Sequence, residues 1–138
     1  MSAKRFEAFM KTVAAFEEVV TTRTSDQARF FFEVRTGQGR SQVVMVQRSE
    51  AEDGEPLVHM MTEIGPAQES LYPAMLARNL ELRYGRIAEV AGAQGRSFAL
   101  VYAYPLAELE EAEFARAFGE VAFVADAIER ACYAQDRG

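Results

Sequence analysis

Residues 28–64, ARFFFEVRTGQGRSQVVMVQRSEAEDGEPLVHMMTEI, decide the fold class. Three runs here are rich in β-branched and aromatic residues: 28–35, 41–48 and 57–64. Each reads as a strand. Gly37 and Gly39 supply the turn between the first two. The acidic loop from Ser49 to Pro56 carries Asp53-Gly54, a strong turn pair, and Gly65-Pro66 ends the third strand. Side chains alternate across a strand. Yet Phe30, Phe31 and Phe32 are consecutive, as are Val43 to Val46 and Leu57 and Val58, with Met60 and Met61 close behind. Both faces of these strands are therefore apolar.

The pattern extends in both directions. Upstream, Phe6, Phe9, Met10, Val13, Phe16 and Val20 fall on one face of a helix over 3–20. Polar residues 21–27 then break the pattern. Downstream, a helix is expected over 68–83. Pro73 lies in its first turn, where proline is tolerated, and Gly85 closes it. Residues 86–91 and 97–104 read as a hairpin around Gly92 and Gly95. GQGRS (37–41) and AQGRS (93–97) echo each other as two turns. Pro105 stops the last strand, and a third helix is expected over 109–134, with Phe114, Ala117, Phe118, Val121, Ala125, Ile128 and Cys132 as its inner stripe. The order is α-β-β-β-α-β-β-α. It lacks strand–helix–strand alternation, which predicts an α+β fold with a five-stranded antiparallel sheet and three helices. The expectation is one domain over residues 1–138.

Composition narrows the function classes. Asp and Glu number 21 against 15 Lys and Arg, a net charge of -6, which disfavours phosphate backbones and hence nucleic acid as partner. No apolar run approaches the roughly 20 residues that cross a bilayer, so no membrane partner is expected. Glu7, Glu17 and Glu18 in the first twenty residues argue against a targeting peptide, and a cytoplasmic address is the expectation. One cysteine, Cys132, and one histidine, His59, cannot assemble the usual zinc ligand sets. Gly37-x-Gly39 lacks the third glycine and the following helix of a dinucleotide site, and no P-loop is present. The acidic loop has neither the spacing nor the flanking helices of a calcium site. No residue set asks for catalysis, a cofactor or a metal.

Three apolar features exceed a simple core. In the middle helix Leu71, Tyr72, Met75, Leu76, Asn79, Leu80 and Leu82 spread over an arc of about 180°, wider than the stripe of about 100° that one packing surface needs. Leu71, Tyr72, Met75, Leu76 and Leu80 are therefore expected at a homodimer interface. Next, the first and third helices cover one sheet face, leaving the other to the middle helix, a second subunit or a client. Last, Phe123 lies almost opposite Phe114 and Phe118 on its helix. Phe31, Val43, Met45 and Phe123 are the candidate partner contacts.

The segment LYPAMLARNLELRYGRIAEV, followed by SFALVYAYPLAELEEAEFARAFGEVAFVADAIE, resembles the class I type III secretion chaperone superfamily, including the Tir chaperone family and the related YbjN-type domains. The resemblance rests on Met75-Leu76-x-x-Asn79, on Gly85 before a hairpin, and on Pro105-Leu106 leading into a long helix. It departs from the family in having no tryptophan late in the last helix. It implies an acidic, cytoplasmic homodimer that binds a non-globular stretch of a client protein through apolar patches. It carries over no catalytic residue, and it carries over Asn79, the only asparagine, as a structural residue. The leading expectation is a non-enzymatic, chaperone-like homodimeric protein-binding module. The alternative is a small-molecule-binding or enzymatic α+β domain with a pocket near His59, Tyr102 and Tyr104.

Overall fold

In the computed structural model, which describes residues 2–92 and 94–133, the chain runs α1 (Ser2–Ala14), β1 (Val19–Asp26), β2 (Arg29–Gly37), β3 (Arg40–Glu50), β4 (Pro56–Pro66), α2 (Tyr72–Arg78), β5 (Arg86–Gly92), β6 (Gly95–Pro105) and α3 (Glu111–Tyr133). Short 3-10 turns at Glu69–Leu71 and Leu106–Glu108 precede α2 and α3. The strands form one sheet in the order β1-β2-β3-β4-β6-β5, and every neighbouring pair is antiparallel. Gly39 and Gly54 both have positive φ, 71° and 87°, as the two expected turns require. Position 93, in the second GRS-type turn, and position 134, the expected end of the last helix, lie outside the described residues.

The class is α+β as read from sequence, but the sheet has six strands, not five. The extra strand is β1, VVTTRTSD, whose first two residues have the pattern of the first helix and whose remainder reads as a polar break. It is an edge strand exposed along nearly all its length, so no apolar alternation marks it. Besides the ladder itself, Arg23 lies over the Phe31 ring at 5.2 Å, the Thr24 hydroxyl donates to the Arg29 carbonyl at 2.8 Å, and just ahead of the strand the Arg35 amide donates to the Glu18 carbonyl at 2.7 Å. The first helix accordingly ends at Ala14 rather than 20. Phe16 and Val19 still reach the core, but from a turn and a strand start.

The middle helix is also shorter than its pattern. It spans only Tyr72–Arg78, and Asn79 caps it rather than Gly85. The Asn79 amide reads both backbone groups of Ile87, accepting from its N–H at 2.6 Å and donating to its carbonyl at 3.4 Å. That pairing turns the chain toward β5 where helical periodicity would have continued, and it gives Asn79 the structural role expected of it. Glu120 of α3 completes the turn by accepting from the Arg83, Tyr84 and Gly85 amides at 2.7, 2.9 and 2.8 Å. Gly85 is needed for another reason than capping: a Cβ there would sit 2.9 Å from the Val101 carbonyl of β6.

The three helices of the described residues lie on one face of the sheet. Phe6 of α1 meets Phe30, Phe118 of α3 meets Phe32 edge-on at 5.7 Å, and Tyr72 of α2 meets Phe98 edge-on at 5.2 Å. Phe32, Val44, Val58, Met60 and Leu100 are buried on that face with Phe114, Val121 and Ile128 from α3. Phe9 stacks on Phe114 at 4.7 Å, while Arg5 covers the Phe9 ring and donates to the Leu106 and Leu109 carbonyls. Asp126, buried on α3, pairs with Arg40 at 3.0 Å and Arg130 at 3.5 Å, tying helix to sheet. Burial pushes its carboxyl up, but hydrogen bonds from Arg40 and the nearby positive charges outweigh that and hold it below the usual carboxylate range. Among the described residues no helix is long and apolar enough to cross a membrane.

Candidate binding face

Among the described residues, no helix lies on the other face of the sheet. Directly paired residues of antiparallel strands point to the same side, so the register maps that face row by row. One row runs Arg23, Phe31, Met45, Met61, Val101, Arg86 across all six strands. It is an apolar band of four side chains with an arginine at each sheet edge. Strands sit about 4.8 Å apart, so Phe31 and Val101 are about 14 Å apart. Two residues along each strand in one direction lies a second row, with Glu33, Val43, Glu63 and Ala99. Two residues in the other direction lies a third, with Arg29, Gln47, His59 and Ala103. The face is thus apolar along its middle, acidic on one flank and basic on the other.

The apolar residues are partly open. Val43 is 47% exposed, and Phe31, Met45, Met61 and Val101 are half-buried by their neighbours alone. A groove of about 580 Å³ lies along this face, walled chiefly by Met45, Gln47, His59, Met61, Arg86 and Val101. A shallower hollow of about 330 Å³ adjoins it around Phe31, Val43 and Glu63. Glu33 is oriented by Thr21 and Ser41, which donate to its two carboxylate oxygens at 3.2 and 3.0 Å.

The candidate contacts read from sequence fall in different places. Phe31, Val43 and Met45 come together on the helix-free face. Phe123 does not join them: it is 41% exposed on α3, beside a cleft of about 290 Å³ with Phe16, Val19 and Phe118. The five residues of the middle arc do not share one surface. Met75 is buried at 2%, and Leu71 and Tyr72 pack on the core. The Tyr72 hydroxyl donates to Glu89 at 2.6 Å, and Arg96 pairs with the same carboxylate at 2.7 Å. Leu76 and Leu80 point outward, 67% and 91% exposed, and Leu80 lies beyond the helix end. The wide arc is therefore an inward side formed by Leu71, Tyr72 and Met75 and an outward pair, Leu76 on α2 and Leu80 just beyond it.

Of the three residues around which a pocket is the alternative expectation, His59 and Tyr102 both line the groove, together with Tyr84 and Arg86, and Tyr104 does not. His59 pairs with Ala103 and faces the groove, so the Tyr102 and Tyr104 rings take the opposite face, where they stack at 6.3 Å. Tyr102 is buried there at 7% exposure. Burial pushes its phenol up to about 12, aided by Glu113, Tyr104 and Tyr84. Cys132 packs half-buried against the core, in keeping with its place on the α3 stripe. Met61, Val101 and Arg86 complete the face. They were unmarked as site residues because their side follows from cross-strand register, which a single strand's alternation leaves open. Comparison with protein-family models and with curated proteins finds no match.

Proposed function

We propose that this chain is a non-enzymatic protein-binding module that forms a homodimer and whose contact surface for a client is the helix-free face of its sheet. The observation that carries the reading is the apolar row Phe31, Met45, Met61 and Val101, left uncovered by all three helices. Contiguous exposed apolar surface on a soluble chain marks interaction sites. Methionines at its centre suit it to a polypeptide, because their unbranched side chains adapt to varied partners. A client segment in non-globular form is the expected ligand, as the resemblance to secretion chaperones implies. The test is selection of a random peptide library on the wild-type protein, followed by titration of selected peptides against Phe31→Asp and Met45→Asp. Peptides that bind the wild type and lose the variants support the reading. Peptides that bind wild type and variants equally count against it.

A second reading rests on the groove itself, whose volume lies in the range of about 300–1,000 Å³ that small-ligand sites occupy. With Arg86 and His59 in its wall, its ligand would be a small anion with an apolar body. A thermal-shift screen of such compounds, repeated on Arg86→Ala, tests it.

A further inference from the structure

The helix-free face is its own complement under a twofold rotation, and we propose that its resting occupant is a second copy of this chain. The inference rests on the proposed reading of that face as a polypeptide-binding surface, and it names the polypeptide. Consider two copies face to face, with the twofold axis running along the row Phe31, Met45, Met61, Val101. A rotation about that axis keeps each strand position and exchanges the two flanks. The apolar row then meets itself. Glu33 lies over Arg29 of the second copy, because both sit on β2, two residues to either side of Phe31. Glu63 lies over His59 of the second copy, because both sit on β4, two residues to either side of Met61. Val43 lies over Gln47 of the second copy by the same relation about Met45. Each contact occurs twice, as an isologous interface demands.

The pairing of charges is not explained within one chain. Arg29 and Glu33 are four residues apart on one strand, about 13 Å, too far to pair with each other. His59 and Glu63 on β4 stand equally far apart, too far for a hydrogen bond between them within one chain. Thr21 and Ser41 hold the Glu33 carboxylate but bring it no positive charge. Face-to-face sheets pack with strands about 30° from parallel, an offset that long Arg and Glu side chains near the axis can span. Arg23 and Arg86 would meet their own counterparts at the sheet edges, where their stems reach water and the repulsion is screened. An apolar band with matched charges on its flanks has the layout of a protein interface, an apolar centre inside a polar rim.

A polypeptide client would then bind by displacing the second copy, so dimer strength would set the threshold for client capture. The experiment uses two full-length variants, Glu33→Arg and Arg29→Glu, purified separately. Each alone sets like charges against each other at both flanks, and its self-association, measured by sedimentation equilibrium, should weaken about tenfold or more. Mixed in equal amounts, they should recover wild-type association as a heterodimer, since every β2 flank contact between them is again Arg with Glu. Native mass spectrometry identifies that heterodimer. Should either substitution unfold the chain, Glu33→Gln and Arg29→Gln read the same contact: each weakens association, and the double variant is no weaker than the single ones. A mixture no stronger than its components overturns the proposal. So does dissociation by Leu76→Ser with Leu80→Ser while the charge variants remain dimeric, which places the contact at α2. A monomeric wild type that still binds selected peptides on this face overturns the twofold contact and keeps the binding module. Heterodimer recovery with no peptide binding by the dissociated single variants does the reverse.

Discussion

Replacing Glu120 with alanine should destabilise the fold by about 3 kcal/mol, although the residue is only half-buried and contributes little apolar area. Its carboxylate accepts from three consecutive backbone amides, those of Arg83, Tyr84 and Gly85, at 2.7–2.9 Å. These amides close the segment between α2 and β5, beyond the turns in which the Leu80 and Glu81 amides donate to the Ala77 and Arg78 carbonyls. A hydrogen bond to a charged group contributes about 1.5–3 kcal/mol net when its donor is cut off from water. Gly85 is buried, so its amide keeps that full value. Tyr84 is half-buried and Arg83 exposed, so water replaces part of what their amides lose, leaving about 0.5–1 kcal/mol each. Glu120→Gln retains one acceptor oxygen and should lose about half as much. Urea titration reads the difference directly: with a slope of about 1.5 kcal/mol per molar, the alanine variant's midpoint falls by about 2 M. Amide exchange at residues 84 and 85 should accelerate more than exchange in the sheet. A loss below about 0.5 kcal/mol, the range of ordinary surface changes, would refute the claim that this carboxylate organises the turn.

Phe118, 2% exposed and edge-on to Phe16 and Phe32, should cost about 3–5 kcal/mol on truncation to alanine, again by denaturant titration. Tyr102 gives a pH signature. Its phenol is raised to about 12 from 10.0, so its contribution to stability is complete below pH 10 and is lost as pH rises from 10 toward 12. Tyr102→Phe should reduce that alkaline limb of a stability–pH profile, and an ultraviolet titration of the wild type should show a late tyrosine that the variant lacks; Tyr72, raised by its hydrogen bond to Glu89, remains in both. Gly65→Ala would place a Cβ 2.6 Å from the buried Tyr133 ring, whose hydroxyl donates to the Pro66 carbonyl at 2.5 Å. The ring has to give up that bond or the strand has to move, and a loss of about 1–3 kcal/mol in thermal or chemical melts is expected.

The residues that announced themselves in the sequence were those whose burial repeats with the period of their own element. The α3 stripe of Phe114, Phe118, Val121 and Ile128 is buried as its 3.6-residue spacing requires. The strands around Phe32, Val44, Val58 and Leu100 were legible because β-branched and aromatic runs have few other uses. Gly39 and Gly54 were legible because a positive φ selects glycine. Two elements were misread, both because tertiary contacts outweighed local pattern. β1 is polar on both sides from Thr21 onward and exists because β2 offers it a free edge. The middle helix stops at Arg78 because the Asn79 amide and the Glu120 carboxylate, 41 positions apart in the chain, satisfy the backbone between them better than further turns would.

The face lay between these cases. That both sides of β2, β3 and β4 are apolar follows from composition alone, since consecutive Phe, Val and Met residues cannot all point one way. Which side the helices cover follows only from the fold, where Tyr72 and Phe98 bring α2 to the same side as α1 and α3. The division of the open side into acidic, apolar and basic rows is likewise invisible along the chain. It depends on which residues of different strands stand opposite one another, and a slip of one residue would send every one of those side chains to the other face. Sequence therefore determined how much apolar surface this chain must bury. Register and the placement of a seven-residue helix decided which part of that surface stays open.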